Sequence, residues 1–224
     1  MSQRLLLTRR IAQLLVGLVL YGISLAMMVR AGLGVAPWDV LTQGIAKQTG
    51  LGFGLITVLV GAVVLLAWIP IRQKPGIGTV LNVLIVGPAA DLGFLFIPEM
   101  PGGVEALPAR ILLFAAGLAL LAVATGLYIG ARFGPGPRDG LMTGIHARTG
   151  WPVWVVRTAI EIAVLGTGWL LGGNVGLGTV AFALLIGPMV GVTLPLLRVP
   201  EPVAPEATAP GDPSSPESTK EVPA

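Results

Sequence analysis

Six apolar runs of about twenty residues divide the chain, at roughly 11–29, 51–71, 77–97, 110–130, 152–172 and 177–197. A helix rises about 1.5 Å per residue, so each run is long enough to cross a hydrocarbon layer roughly 30 Å thick. Two further segments break the pattern. "GVAPWDVLTQGIAKQTG" (34–50) lies between the first and second runs, and "GPGPRDGLMTGIHARTG" (134–150) between the fourth and fifth. Each holds at most about 14 helix-compatible residues, or roughly 21 Å of helix, which is too short to span. From position 200 the text becomes "PEPVAPEATAPGDPSSPESTKEVPA". It has almost nothing apolar to bury and predicts disorder.

The spans divide the chain into a cytoplasmic N-terminus (1–10), a membrane repeat (11–98), an outer connecting loop (99–109), a second membrane repeat (110–197) and a cytoplasmic tail (198–224). The stretch "LTRRIAQLL" faintly resembles a twin-arginine or Sec signal. However, Ile11 to Val29 is too long for a signal core and ends in Met27, Met28, Val29 and Arg30, without a small-residue cleavage site. It is expected to stay as the first transmembrane helix.

Composition strengthens this picture. Charged residues make up 11% of the chain and hydrophobic ones 54%, with a mean hydropathy of +0.86. A soluble domain carries about 25% charged residues, so this chain cannot cover its surface with polar groups. The net charge is +3, but the basic residues are dispersed at the ends of the apolar runs, which argues for membrane topology and against nucleic acid. With the N-terminus in the cytoplasm, Arg4, Arg9, Arg10, Arg72, Lys74, Arg132, Arg138, Arg148, Arg198 and Lys220 fall on the inner side. Only Arg30, Lys47 and Arg110 fall outside, and Arg157 lies within a span. That bias favours six crossings over eight.

The two interrupting segments belong to a duplication. Without a gap, residue i matches residue i+100 from Arg10/Arg110 to Pro88/Pro188, and 23 of these 79 pairs are identical. Each copy contains three spans, and an odd number makes the second copy enter the membrane from the opposite side. The expected fold class is therefore all-α: a polytopic membrane protein of two inverted-topology three-helix repeats, each with an extra short helix.

The repeated polar residues have structural and functional readings. Pro37 and Pro137 suit the first position of a helix, and Asp39 and Asp139, two residues on, suit its positive end as caps. Paired short helices are also where transporters bind substrate, so both aspartates are candidates for an ion or substrate site as well. Trp38 and Arg138 occupy one repeat position and read as an outer aromatic anchor and an inner positive residue. Gly34 and Gly134 mark the helix breaks. Gly87-Pro88 and Gly187-Pro188, in mid-span, predict paired kinks, which read either as a matter of helix packing or as hinges between the repeats. Gly76, Gly78 and Thr79 recur as Gly176, Gly178 and Thr179; they form either a weak anion nest or a tight interfacial turn.

The charges that are not repeated are more informative. Arg157 and Glu161 share one helical face, where the first repeat has Thr57 and Gly61; Asp91 stands where the second has Gly191. A charge in the bilayer interior costs at least about 2.5–3.5 kcal/mol, so these three are expected to face water or protein, as a packing pair or a substrate site. No catalytic arrangement is present: Gly-x-Ser-x-Gly and HExxH are absent, there is no cysteine, and His146 stands alone. No metal or cofactor is expected.

"GLGVAPWDVLTQGI", "GIGTVLN" and a following Gly-Pro with an Asp resemble the bacterial YczE/YitT-like integral membrane proteins, over most of 10–197. The second copy departs at Arg138, where tryptophan would repeat the motif. The resemblance implies a bacterial inner-membrane protein and leaves the activity open. The expectation is a small-solute secondary transporter or exporter in the plasma membrane, embedded in lipid, with both termini cytoplasmic. The alternative is a non-transporting scaffold that supports a partner enzyme or the envelope. Six spans leave a homodimer open.

Overall fold

The computed structural model describes residues 3–199, and every regular element among them is a helix. In chain order these are α1 (Gln3–Ala31), α2 (Pro37–Thr49), α3 (Phe53–Leu66), α4 (Trp68–Ile71), α5 (Ile77–Phe96), α6 (Leu107–Gly130), α7 (Pro137–Thr149), α8 (Val153–Leu170) and α9 (Leu177–Leu197). Six stretches are long and apolar enough to cross a membrane: α1, α3 with α4, α5, α6, α8 and α9. Apart from Arg198 and Val199, the expected tail lies outside the described residues.

Local sequence explains the boundaries. α1 starts well before the first apolar run because residues 3–10 contain neither glycine nor proline to stop a helix. The second span breaks between α3 and α4, where Pro70 cannot donate to the Leu66 carbonyl. The two short helices share one punctuation: proline at the first position, and a left-handed glycine, Gly50 or Gly150, at φ 72° after the last. α5 and α9 continue as helix through Pro88 and Pro188.

The core is built on α1, which packs along both α5 and α6. Leu14, Leu18, Leu25 and Met28 meet Phe114, Leu118 and Leu121 there. Small residues let the backbones approach, as bilayer helices require: a Cβ on Gly17 would stand 2.8 Å from the Tyr128 nitrogen.

Contacts between the halves come in reciprocal pairs. Arg10 donates to the carbonyls of Ala131 and Arg132 at 2.9 and 3.0 Å, and Arg110 donates to those of Ala31 and Gly32 at 2.8 and 2.7 Å. Each arginine thus satisfies carbonyls at or just past the end of the other half's helix. The Gly78 amide donates to Phe133 O at 2.9 Å, and the Gly178 amide to Leu33 O at 2.7 Å. The Gly76 and Gly176 amides donate to the hydroxyls of Thr79 and Thr179. At the same crossings the chain passes through Gly34 (φ 103°) and Gly134 (φ 117°); a Cβ on Gly34 would sit 2.5 Å from the Gly176 nitrogen. Positive φ and close approach together require glycine at this turn.

The likeness of the halves is incomplete. α3 packs along α5, whereas α8 and α9 make no comparable contact.

A cavity where the two short helices meet

α2 and α7 point their N-termini at each other across a cavity of about 100 Å³. The ion pair between Arg138 Nη2 and Asp39 Oδ1, at 3.3 Å, joins them. The same guanidinium lies 5.2 Å from the centre of the Trp38 ring, within range of a cation–π contact. This corrects the reading of Trp38 and Arg138 as anchors at opposite surfaces. Trp38 is 7% exposed, and Arg138 reaches inward because an interior carboxylate holds its charge better than an isolated position would.

Neither aspartate caps its own helix. α2 and α7 have no side-chain cap, and Asp39 and Asp139 both line the cavity. Asp39 is 1% exposed; its Oδ1 takes the arginine, while its Oδ2, like the Trp38 indole nitrogen, is buried with no hydrogen-bond donor or acceptor opposite. Asp139 Oδ2 accepts from the Tyr128 hydroxyl at 3.2 Å. Both aspartates lie on short helices outside the six spans. Burial pushes the Asp39 carboxyl above the usual carboxylate range, and Arg138 opposes the shift. Burial also raises Asp139, opposed first by Arg157, then by the Tyr128 hydrogen bond and Arg138.

α8 contributes the non-repeated pair. Arg157 Nε donates to Glu161 Oε1 at 2.9 Å, the i,i+4 bond that the spacing predicts, and both side chains line the cavity. Pro37 and Pro137 also lie in the wall. Asp91 is elsewhere: its Oδ1 accepts from the Gly54 amide at 2.8 Å and so satisfies the start of α3. Gly34, Gly134, Gly87, Pro88, Gly187 and Pro188 lie outside the cavity lining, as do the glycines and threonines of the two Gly-x-Gly-Thr turns. The amides of those turns that donate do so to carbonyls and threonine hydroxyls.

Tyr21 and Tyr128 complete the wall, with ring centres 5.9 Å apart and planes at 74°. They are the chain's two tyrosines, and both stand inside long apolar runs. A phenol there needs a polar neighbour, and that was the available sequence signal.

Six apolar crossings around a charged interior cavity define a multi-pass membrane protein that lies in the lipid bilayer. Within that class the chain belongs to the family of unknown function DUF6198, whose model matches residues 8–195. It is 40% identical over 193 residues to an uncharacterized protein of Haemophilus influenzae, covering 86% of this chain and 87% of that one. It is 32% identical over 176 residues to the uncharacterized membrane protein YczE of Bacillus subtilis, covering 78% and 80%. The uncharacterized protein YyaS of the same organism is 26% identical over 184 residues, covering 82% and 91%. No solved structure matches the chain.

Proposed function

We propose that this protein is a small-solute secondary transporter or exporter of the bacterial plasma membrane, with both termini in the cytoplasm. Its two repeats cross the bilayer in opposite directions and share one site midway. The observation that carries this reading is the cavity itself. Two short helices, one from each half, bring Asp39, Arg138 and Asp139 together, and α8 adds Arg157 and Glu161. Short helices at corresponding positions of two repeats, aimed at one polar site, are the usual construction of a transporter centre. The reciprocal arginine and glycine contacts support a two-fold relation between the halves.

The chain has no cysteine, so single cysteines report cleanly. Asn82 lines the cavity. An Asn82→Cys variant is expected to react with a membrane-impermeant thiol reagent in both right-side-out and inside-out vesicles, because alternating access opens the site to each side in turn. Reaction from one side only, or from neither, overturns transport and favours the scaffold. Inversion has its own test: Thr49→Cys should label in intact cells, and Thr149→Cys only after lysis. Like behaviour of the two sinks the inverted arrangement.

A further inference from the structure

The break in symmetry lies beside the cavity. In the first half, α3 and α5 close on each other through small residues. A Cβ on Gly87 would stand 2.3 Å from Gly54 O, and one on Gly61 would stand 3.1 Å from both Val83 methyls. Asp91 ties the top of that seam to the Gly54 amide. The matching residues of the second half undo each of these features. Gly54 becomes Trp154, Gly61 becomes Glu161, and Asp91 becomes Gly191. Gly187 and Gly191 have open space where a Cβ would point, and Trp154 is largely exposed.

The opening leads to charge. Arg157 and Glu161 of α8 and Phe182 of α9 all line the cavity, yet the Arg157 side chain is 51% exposed. A half-exposed arginine on a spanning helix is expensive against lipid tails even when paired with Glu161, so its exposed side calls for a polar neighbour. The cavity wall holds three carboxyl groups (Asp39, Asp139 and Glu161) and two guanidiniums (Arg138 and Arg157), one more acidic group than basic. Tyr21, Trp38, Tyr128 and Phe182 supply aromatic faces around it. Arg138, seated on Trp38 and paired with Asp39, already shows how a cation is held there.

We propose that the gap between α8 and α9 is a lateral entrance through which single-tailed organic monocations pass from the bilayer into the cavity. The headgroup lies among the carboxylates and aromatic rings, and the tail lies in the gap. This specifies the substrate class of the transport reading above and rests on it.

The test uses the full chain in lipid nanodiscs, with dodecyltrimethylammonium and tetramethylammonium as ligands and intrinsic tryptophan fluorescence as the signal. Gly187→Phe puts a bulky side chain into the gap from a position where a Cβ meets nothing within 4 Å. It is expected to weaken dodecyltrimethylammonium binding about tenfold, the amount that two buried methylenes supply, and to leave tetramethylammonium unchanged. Asp139→Asn removes the cavity's acidic group without an ion-pair partner among the described residues and should weaken both. If Asp139→Asn weakens both and Gly187→Phe weakens neither, the lateral entrance is overturned while the cavity remains a cation site. If neither cation binds the wild type, the substrate class is overturned, and the Asn82→Cys accessibility decides the transport reading separately. A disulfide-linked dimer of Gly187→Cys in the native membrane would place a second copy in the gap and overturn the entrance.

Discussion

Arg138→Met tests the energetics of the cavity most directly. The substitution keeps much of the side chain's bulk but leaves Asp39, 1% exposed, without its cation. Removing one member of a buried ion pair costs about 3–5 kcal/mol while the remaining charge persists. Asp39 has an alternative, which is to take up a proton. Protonating an ordinary carboxyl, with a pKa of about 3.9, costs about 4 kcal/mol at pH 7, and this caps the penalty. The variant is therefore expected to be about 3–4 kcal/mol less stable than wild type at pH 7. The sign of its pH dependence follows from linkage. The folded variant holds a proton that the unfolded chain has released at neutral pH, so stability falls as pH rises, by up to about 1.4 kcal/mol per unit. Lowering the pH from 7 to 5 should recover about 2–3 kcal/mol. Thermal unfolding in detergent micelles at pH 5, 6 and 7, followed by tryptophan fluorescence, measures this. The double variant Asp39→Asn/Arg138→Met removes both charges and should regain stability at pH 7 with a flat pH profile. A single variant that tracks wild type across pH, or a double variant no better than the single, would refute the reasoning.

Three further outcomes follow from particular contacts. Gly87→Ala drives a methyl against the Gly54 carbonyl and should cost about 1–3 kcal/mol in the same assay, whereas Gly187→Ala, in open space, should be neutral or stabilise by up to about 1 kcal/mol. Equal effects would contradict the asymmetry of the two seams. Arg110→Gln loses two bonds to the carbonyls ending α1 and should lower stability by about 2–4 kcal/mol; Arg10→Gln should match it or exceed it, since Arg10 also lies 4.7 Å from the Phe133 ring centre. Tyr128→Phe removes a donor that holds the Asp139 carboxyl down, so the infrared band of the protonated acid should persist to higher pH; a shift to lower pH would deny the bond.

Much of the fold was written in the linear text. Apolar runs set the six crossings because hydrocarbon thickness fixes their length, and proline and glycine punctuated the short helices. Arg157 and Glu161 were legible as a pair, since four residues on a helix bring them together whatever surrounds them. Depth was not legible. Thirteen residues of helix can lie at a surface or point inward, and hydropathy does not separate the two. Arg138 was therefore placed with the loop charges, because its carboxylate lies 99 positions away in the other half. The aspartates read as caps or as site residues for the same reason: the cap position is local, and the cavity is not. The unequal seams were visible in the pairs Gly54/Trp154 and Gly61/Glu161, but only once packing showed what those glycines were for.

The crossed contacts bear on how the chain is made. A ribosome delivers the first repeat with the carbonyls of Ala31, Gly32 and Leu33 still waiting for Arg110 and Gly178. Gln13 of α1 also waits: its side-chain amide donates to Leu127 O of α6 and to Leu197 O at the end of α9. The first half thus enters the bilayer as an unfinished piece whose remaining hydrogen bonds belong to sequence not yet synthesised. Assembly is tied to synthesis of the second repeat, and a chain that stops after one repeat would leave those groups open in the membrane.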